Sequence, residues 1–143
     1  MPLDSNSGSE MEEYRPFDGE PFMNERQQEY FRKRLLSWKD DLLKEMKETV
    51  LRLQAESPNH ADFADRASSD ADRALELRAR DRQRKLIVKI DAALKRLDEG
   101  TYGYCEDTGE PIGLRRLEAR PIATFSVEAQ ERHERDERMY GEG

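Results

Sequence analysis

The 143 residues make about one domain's length, but 35% are hydrophobic and 40% charged, which excludes a deep globular core. A net charge of −7 argues against general DNA binding, because nucleic-acid affinity is carried by cations that displace counterions from phosphates. No run approaches the roughly eighteen apolar residues of a membrane span, and the amino terminus lacks the basic, apolar, then small-residue order of a secretory signal, so no membrane association and a cytoplasmic location are expected.

So polar a chain can fold if its apolar residues line the seam of paired helices, the smallest surface that buries one face of a helix. Residues 1–23 show no helical period. They hold Pro2, Pro16 and Pro21, several Gly and Ser, and the acids Glu10, Glu12, Glu13 and Asp18, and read as a flexible acidic arm. Tyr14, Phe17 and Phe22 are its candidates for docking on the folded part.

Asn24 followed by Gln27 forms a capping box and opens the first helix, over roughly 25–56. Its apolar residues Phe31, Leu35, Trp38, Leu42, Met46, Thr49 or Val50, and Leu53 recur at helical spacing, uninterrupted by Gly or Pro until Pro58. Ser57-Pro58-Asn59-His60-Ala61 stops the helix, since proline lacks an amide donor and disfavours helical geometry in the residue before it. A second helix follows from about Asp65 to Asp98. Its seam is marked near the end by Leu86 or Ile87, Ile90, Leu94 and Leu97, and near the start by Ala67, Ala71, Ala74, Leu75 and Leu77, whose mostly small side chains allow close approach. Two such helices joined by a short loop predict an antiparallel hairpin about 45 Å long. Between Arg78 and Lys85 almost no apolar side chain occurs, which breaks the heptad. That stretch reads either as a solvated face whose long stems cover the partner helix or as an electrostatic contact surface.

After Gly100, Tyr102-Gly103-Tyr104-Cys105 through Gly109, Pro111, Gly113 and Pro121 is dense in turn residues and predicts a small knob with a short hairpin. Charges of both signs over a helical pattern from about Val127 to Tyr140 predict a closing helix. The fold class is therefore mainly α: an arm at 1–23, a long two-helix coiled coil at 24–100 with its tip at about 57–67, and a knob with a C-terminal helix at 101–143. A self-paired hairpin leaves little apolar seam for a second copy, so a monomer is expected.

Charge is uneven along the hairpin. Around the bend Glu56, Asp62, Asp65, Asp70, Asp72 and Glu76 outnumber Arg66 and Arg73, whereas farther along Arg78, Arg80, Arg82, Arg84, Lys85, Lys89, Lys95 and Arg96 outnumber Asp81 and Asp91. An acidic tip on a basic stem can be steered into a positively lined channel or toward a bound metal ion. Asp62 and Asp65 also suit helix capping. Nothing in a two-helix tip buries either carboxylate and no nucleophile lies near, so an enzyme is disfavoured. His60 and His133 read as solvated rather than as ligands. The lone Cys105 can neither form an internal disulfide nor by itself hold a structural zinc ion.

Asp62-Phe63-Ala64-Asp65-Arg66-Ala67 resembles the Asp-x-x-Asp-x-Ala tip of the DksA family of bacterial transcription factors. The resemblance continues through Leu75-Glu76-Leu77-Arg78, Arg80-Asp81-Arg82, Arg84-Lys85-Leu86-Ile87, Gly103-Tyr104-Cys105, Ile112-Gly113 and Arg115-Arg116-Leu117-Glu118-Ala119-Arg120-Pro121, and more loosely from Met23 through Trp38. It implies a coiled coil that enters the secondary channel of RNA polymerase, with Asp62, Asp65 and Ala67 near the active-site region. It also implies action with the alarmone ppGpp on promoter complexes in the stringent response, repressing ribosomal RNA promoters and activating some biosynthetic ones without direct DNA contact. Positions matching the family's ppGpp site include Leu86, Lys89 and Arg120, whereas Gln130 stands where the family commonly has lysine.

Many family members carry a zinc finger of paired Cys-x-x-Cys motifs. The corresponding positions here are Cys105, Thr108, Ser126 and Ala129, so the resemblance implies a zinc-finger-like knob without zinc, held by Tyr102, Tyr104, Ile112, Leu114, Leu117, Ile122 and Phe125. Two other readings stay open: a coiled-coil adaptor without regulatory activity, and a Gre-like factor that stimulates transcript cleavage by presenting a metal-binding acid.

Overall fold

The computed structural model describes residues 14–55 and 63–140, with side chains described over 14–55 and 67–140. Four helices follow in chain order: α1 (Glu25–Ala55), α2 (Phe63–Glu99), α3 (Leu114–Ala119) and α4 (Val127–Tyr140). The described residues form two compact units, Met1–Arg34 with Ala93–Gly143, and Leu35–Ala92.

In the first unit, α1 starts where its cap dictates. The Gln27 N–H donates to Asn24 Oδ1 at 2.8 Å, while Gln27 Oε1 accepts the N–H of Met23 at 2.7 Å. Gln27 is fully buried, and these bonds account for a polar residue at such a place. One oxygen of Glu20 gathers the Tyr14 hydroxyl at 2.6 Å and the amides of Asn24 and Gln27, each at 3.2 Å. Tyr14 meets Tyr30 edge-on and lies under the Arg26 guanidinium, 3.9 Å from its ring centroid. Burial, then the hydrogen bond to Glu20, pushes the Tyr14 hydroxyl up to about 12. That bond is in turn the largest reason Glu20 sits below the ordinary carboxylate range.

Residues 14–24 are thus packed rather than loose, which corrects the expectation of a flexible arm for its later part. Tyr14 and Phe22 dock, the latter edge-on against Tyr104, whereas Phe17 stays exposed. The expectation for residues 1–13 lies outside the described residues.

The core of this unit joins Met23 and Phe31 with Ala93 and Leu97 of α2 and with Tyr102, Cys105, Ile112, Leu114, Leu117 and Ala129. Phe31 stacks at a tilt on Tyr102, with centroids 5.6 Å apart. The Tyr102 hydroxyl donates to the Pro121 carbonyl at 2.7 Å, and Arg116 Nε to the Phe125 carbonyl at 2.8 Å. Arg34 joins α1 to α3 by donating to the Glu118 carbonyl at 3.0 Å, with its carboxylate at 3.3 Å.

Of the side chains expected to hold the knob, Tyr102, Ile112, Leu114 and Leu117 are buried, and Ile122 and Phe125 are half-buried. Tyr104 remains exposed beneath Phe22. The short hairpin is reduced to one antiparallel bridge, Tyr104 with Pro111, and no strand occurs among the described residues.

Gly103 sits at φ +91°, and a Cβ there would lie 3.2 Å from Met23 Cγ and Phe22 Cζ. Gly103→Ala is therefore expected to destabilise the first unit by about 1–3 kcal/mol, through backbone strain and displacement of the docked segment. Thermal unfolding measures the loss; an unchanged midpoint would refute that packing.

In the second unit the two long helices pair antiparallel. Lys39 meets Asp91 at 2.7 Å, Glu45 accepts from Gln83 at 2.8 Å, Arg52 lies 3.5 Å from Glu76, and Arg73 donates to the Leu53 carbonyl at 3.1 Å. As numbers rise along α1, partners fall along α2. Leu35, Leu42, Thr49 and Ile90 are buried, and Trp38, Met46, Val50, Leu53, Leu86 and Ile87 are half-buried, as periodicity predicts.

The start of α2 differs from expectation. Ala67, Ala71, Ala74, Leu75 and Leu77 are exposed, and Ser69, Glu76, Ala79, Arg80 and Gln83 occupy the half-buried positions instead. The reason is helical phase. Ser69, Glu76, Gln83 and Ile90 are separated by full heptads, so a continuous helix anchored at Ile87 and Ile90 carries the polar residues inward and Leu75 and Leu77 outward. The heptad is not broken between Arg78 and Lys85; it is occupied there by Ala79, Arg80 and Gln83.

Candidate functional site

The acidic tip begins at the start of α2. Asp62 and His60 lie outside the described residues. Asp65 falls within the first turn of α2, its side chain outside the description, and Ala67 follows exposed on the same helix. An acid in the first turn suits the unsatisfied N–H groups and the positive end of the helix dipole.

Of the expected alarmone contacts, Leu86 is half-buried and Lys89 exposed, three residues on, so both lie on one side of α2 in the second unit. Arg120 is exposed in the first unit, where its backbone N–H donates to the Arg116 carbonyl at the end of α3. Gln130 donates from its side chain to Glu134 at 3.2 Å on α4. The basic character of α2 is only partly neutralised. Lys85 pairs with Asp81 and Lys95 with Glu99, whereas Arg78, Arg82, Arg84 and Lys89 make no ion pair among the described residues.

The knob holds the remaining chemistry. Cys105 is 2% exposed, and its N–H donates to the Glu110 carbonyl while its carbonyl accepts the Gly109 N–H, both at 2.8 Å. Burial would raise the thiol's pKa. Hydrogen bonding by the Ser126 backbone, the Thr108 side chain and the backbones of Thr108 and Asp107 outweighs it and lowers the pKa from 9.0 to about 6. The donors around the sulfur thus favour its thiolate form.

The rest of a zinc site is not. Thr108 Oγ1 accepts the Glu110 N–H and Ser126 Oγ accepts the Ala129 N–H, both at 3.2 Å, while the Ala129 side chain carries no donor atom. No cluster of three or more Cys, His, Asp or Glu suited to a metal occurs among the described residues. One thiolate and two hydroxyls engaged with backbone do not fit tetrahedral zinc coordination. His133 is not simply solvated: its ring stacks on Phe125, with centroids 4.5 Å apart, and its Nε2 lies 3.2 Å from Asp107 Oδ2.

The depressed thiol adds stability above its unfolded-state pKa, and this contribution is lost as pH falls through the folded value. The parent should therefore gain stability over Cys105→Ser as pH rises from about 6 to about 9, as read by melting temperature across that range. A difference independent of pH would show that the thiolate is not stabilised.

Sequence reasoning missed the docking role of Glu20 and the polar seam of α2. Glu20 precedes α1, so no helical spacing marked it in the sequence. The seam residues were discoverable by extending the Ile90 heptad backward.

The chain matches two family models: DnaK suppressor protein DksA, N-terminal domain, over residues 27–97, and prokaryotic dksA/traR C4-type zinc finger over 100–135. It is 69% identical over 131 residues to the RNA polymerase-binding transcription factor DksA of Caulobacter vibrioides (strain NA1000 / CB15N), covering 92% of each chain. To the protein of that name from Escherichia coli (strain K12) it is 43% identical over 132 residues, covering 92% of this chain and 87% of the other. Among solved structures, transcription factor DksA2 from Pseudomonas aeruginosa matches with a TM-score of 0.75 at 40% identity, covering 92% of this chain and 98% of that one.

Proposed function

Because this chain belongs to the DksA family, we propose that it is a cytoplasmic transcription regulator that binds RNA polymerase through its secondary channel. The observation that carries this reading is the coincidence of both family matches with an antiparallel helix pair whose α2 begins at the Asp-x-x-Asp-x-Ala tip. No chemistry is assigned to the chain itself. It acts by differential binding: a factor changes initiation only if it favours some polymerase or promoter-complex states over others.

In this reading Asp62, Asp65 and Ala67 form the part that meets the polymerase active-site region. Lys89 with Leu86 in the second unit, and separately Arg120 in the first, are the positions proposed to contact ppGpp together with polymerase, cations suiting a multiply charged phosphate ligand. Gln130 supplies no charge where relatives commonly have lysine, so one phosphate contact with ppGpp is missing here. The donor set of the knob supports a factor that works without zinc, the self-paired seam of the hairpin supports a monomer, and the net charge of −7 supports action without direct DNA binding.

A titration of the labelled, metal-stripped chain with RNA polymerase tests the proposal. Saturable binding that is displaced by a transcript-cleavage factor occupying the same channel is expected, and binding indifferent to that competitor would place the chain elsewhere on the enzyme.

A further inference from the structure

The second unit is built in two ways along its length. Near Leu35 and Ile90 its seam is apolar: Leu35, Leu42 and Ile90 are buried, with Trp38, Leu86 and Ile87 half-buried beside them. Toward the tip, the same heptad positions of α2 hold Ser69, Glu76, Arg80 and Gln83, and the matching position of α1 holds Thr49. The contacts there are polar: Gln83 to Glu45 at 2.8 Å, Arg52 to Glu76 at 3.5 Å, Arg52 to Thr49 at 3.3 Å, and Arg73 to the Leu53 carbonyl at 3.1 Å. Glu76 Oε2, Arg80 Nε and Gln83 Oε1 are shielded from solvent without a hydrogen-bond partner. The leucines that could have filled this seam face outward, Leu51 being 54% exposed, Leu75 60% and Leu77 49%.

From this arrangement we propose that the distal part of the helix pair, residues 45–55 with 67–83, is a conformational latch that opens as a unit while the proximal part stays paired. The physical reason is the balance of desolvation. Closing the distal seam shields polar groups and leaves some of them unsatisfied, so opening returns them to water and gives up only the half-buried apolar surface of Met46, Val50, Leu53 and Ala79. Closing the proximal seam removes leucine, isoleucine and tryptophan surface from water, so opening there is strongly opposed. Polar residues at core positions of a coiled coil fix register at a cost in stability, and here they fall in one contiguous stretch. Partial opening of this kind follows contiguous cooperative segments. A partner that grips only the closed pair closes the latch by mass action.

Amide hydrogen exchange of the full free chain, resolved by residue, tests this without any partner. Amides at 47–51 and 74–80, well inside their helices, are expected to exchange at least about tenfold faster than those at 35–42 and 87–92. Filling the seam with Glu76→Leu, Arg80→Leu and Gln83→Leu together is expected to slow the distal amides about tenfold while leaving the proximal ones unchanged. Gln83→Leu alone should give a smaller slowing in the same direction if the triple variant aggregates. Equal protection in both parts of the parent would overturn the latch. Faster distal exchange that neither variant slows would overturn the polar seam as its cause.

Discussion

Asp65→Asn is expected to reduce regulation of a ribosomal RNA promoter by about tenfold or more, within the range of typical coupling free energies, while polymerase binding stays within about threefold of the parent. The substitution exchanges a carboxylate for an amide of the same shape in the first turn of α2. Removing one charge from the first turn of a helix costs about 0.3–1 kcal/mol, so if Asp65 served only to start α2, stability would fall slightly and activity would survive. Regulation lost with binding retained separates a tip that acts on the polymerase from one that merely folds. Promoter-complex lifetime and run-off transcription read the first quantity, and fluorescence titration with polymerase reads the second. If Asp65→Asn leaves regulation intact, the tip assignment is wrong. If regulation is absent from the parent as well, the chain is an adaptor that shares the family fold.

The second large effect is expected in the fold. Phe31 is fully buried, stacked on Tyr102 and edge-on to Tyr30 at 5.1 Å. Phe31→Ala removes the largest buried side chain of α1 from the core around the knob, and by the usual cost of such cavities it should destabilise the protein by about 3–5 kcal/mol. That is a large fraction of the roughly 5–15 kcal/mol by which a domain is normally stable, so unfolding of the first unit at growth temperature is the expected outcome. No metal ligand set occurs among the described residues, so the knob's stability is expected to rest on this packing. Urea unfolding followed by tyrosine fluorescence and far-ultraviolet circular dichroism measures the loss. Less than about 1 kcal/mol would mean that Phe31 is not central to the core.

Much of this architecture was legible in the sequence because its determinants are local. The Asn24 and Gln27 cap and the spacing of Phe31, Leu35 and Leu42 each specify their own segment of chain, whereas the helix stop expected at Ser57-Pro58 lies outside the described residues. The start of α2 was misread for a physical reason. Alanine and leucine at 67, 71, 74, 75 and 77 invite the rule that apolar residues face inward, but helix phase is inherited from Ile87 and Ile90, and it places Glu76, Arg80 and Gln83 in the seam. The packing of residues 14–24 was only half legible. Their aromatics could be named as docking candidates, yet the carboxylate of Glu20 that joins Tyr14 to Asn24 and Gln27 shows its role only once the chain is folded.

The tip is a case of the opposite kind. Physical chemistry reads Asp62 and Asp65 as helix caps on an acidic stretch of chain, and the proposal that they meet polymerase rests on the motif they form. In the knob, the donor chemistry of Cys105, Thr108, Ser126 and Ala129 could be judged from residue types alone. The lowered pKa of Cys105 could not, because it depends on which backbone amides the fold turns toward the sulfur.

Zinc-independent regulation of RNA polymerase is read by in vitro transcription from a ribosomal RNA promoter with metal-stripped protein, titrated with and without ppGpp. Repression is expected to rise with protein concentration, to be unchanged by added zinc or chelator, and to deepen with ppGpp. Transcription that never changes although polymerase is bound, or repression that appears only when zinc is restored, would contradict it.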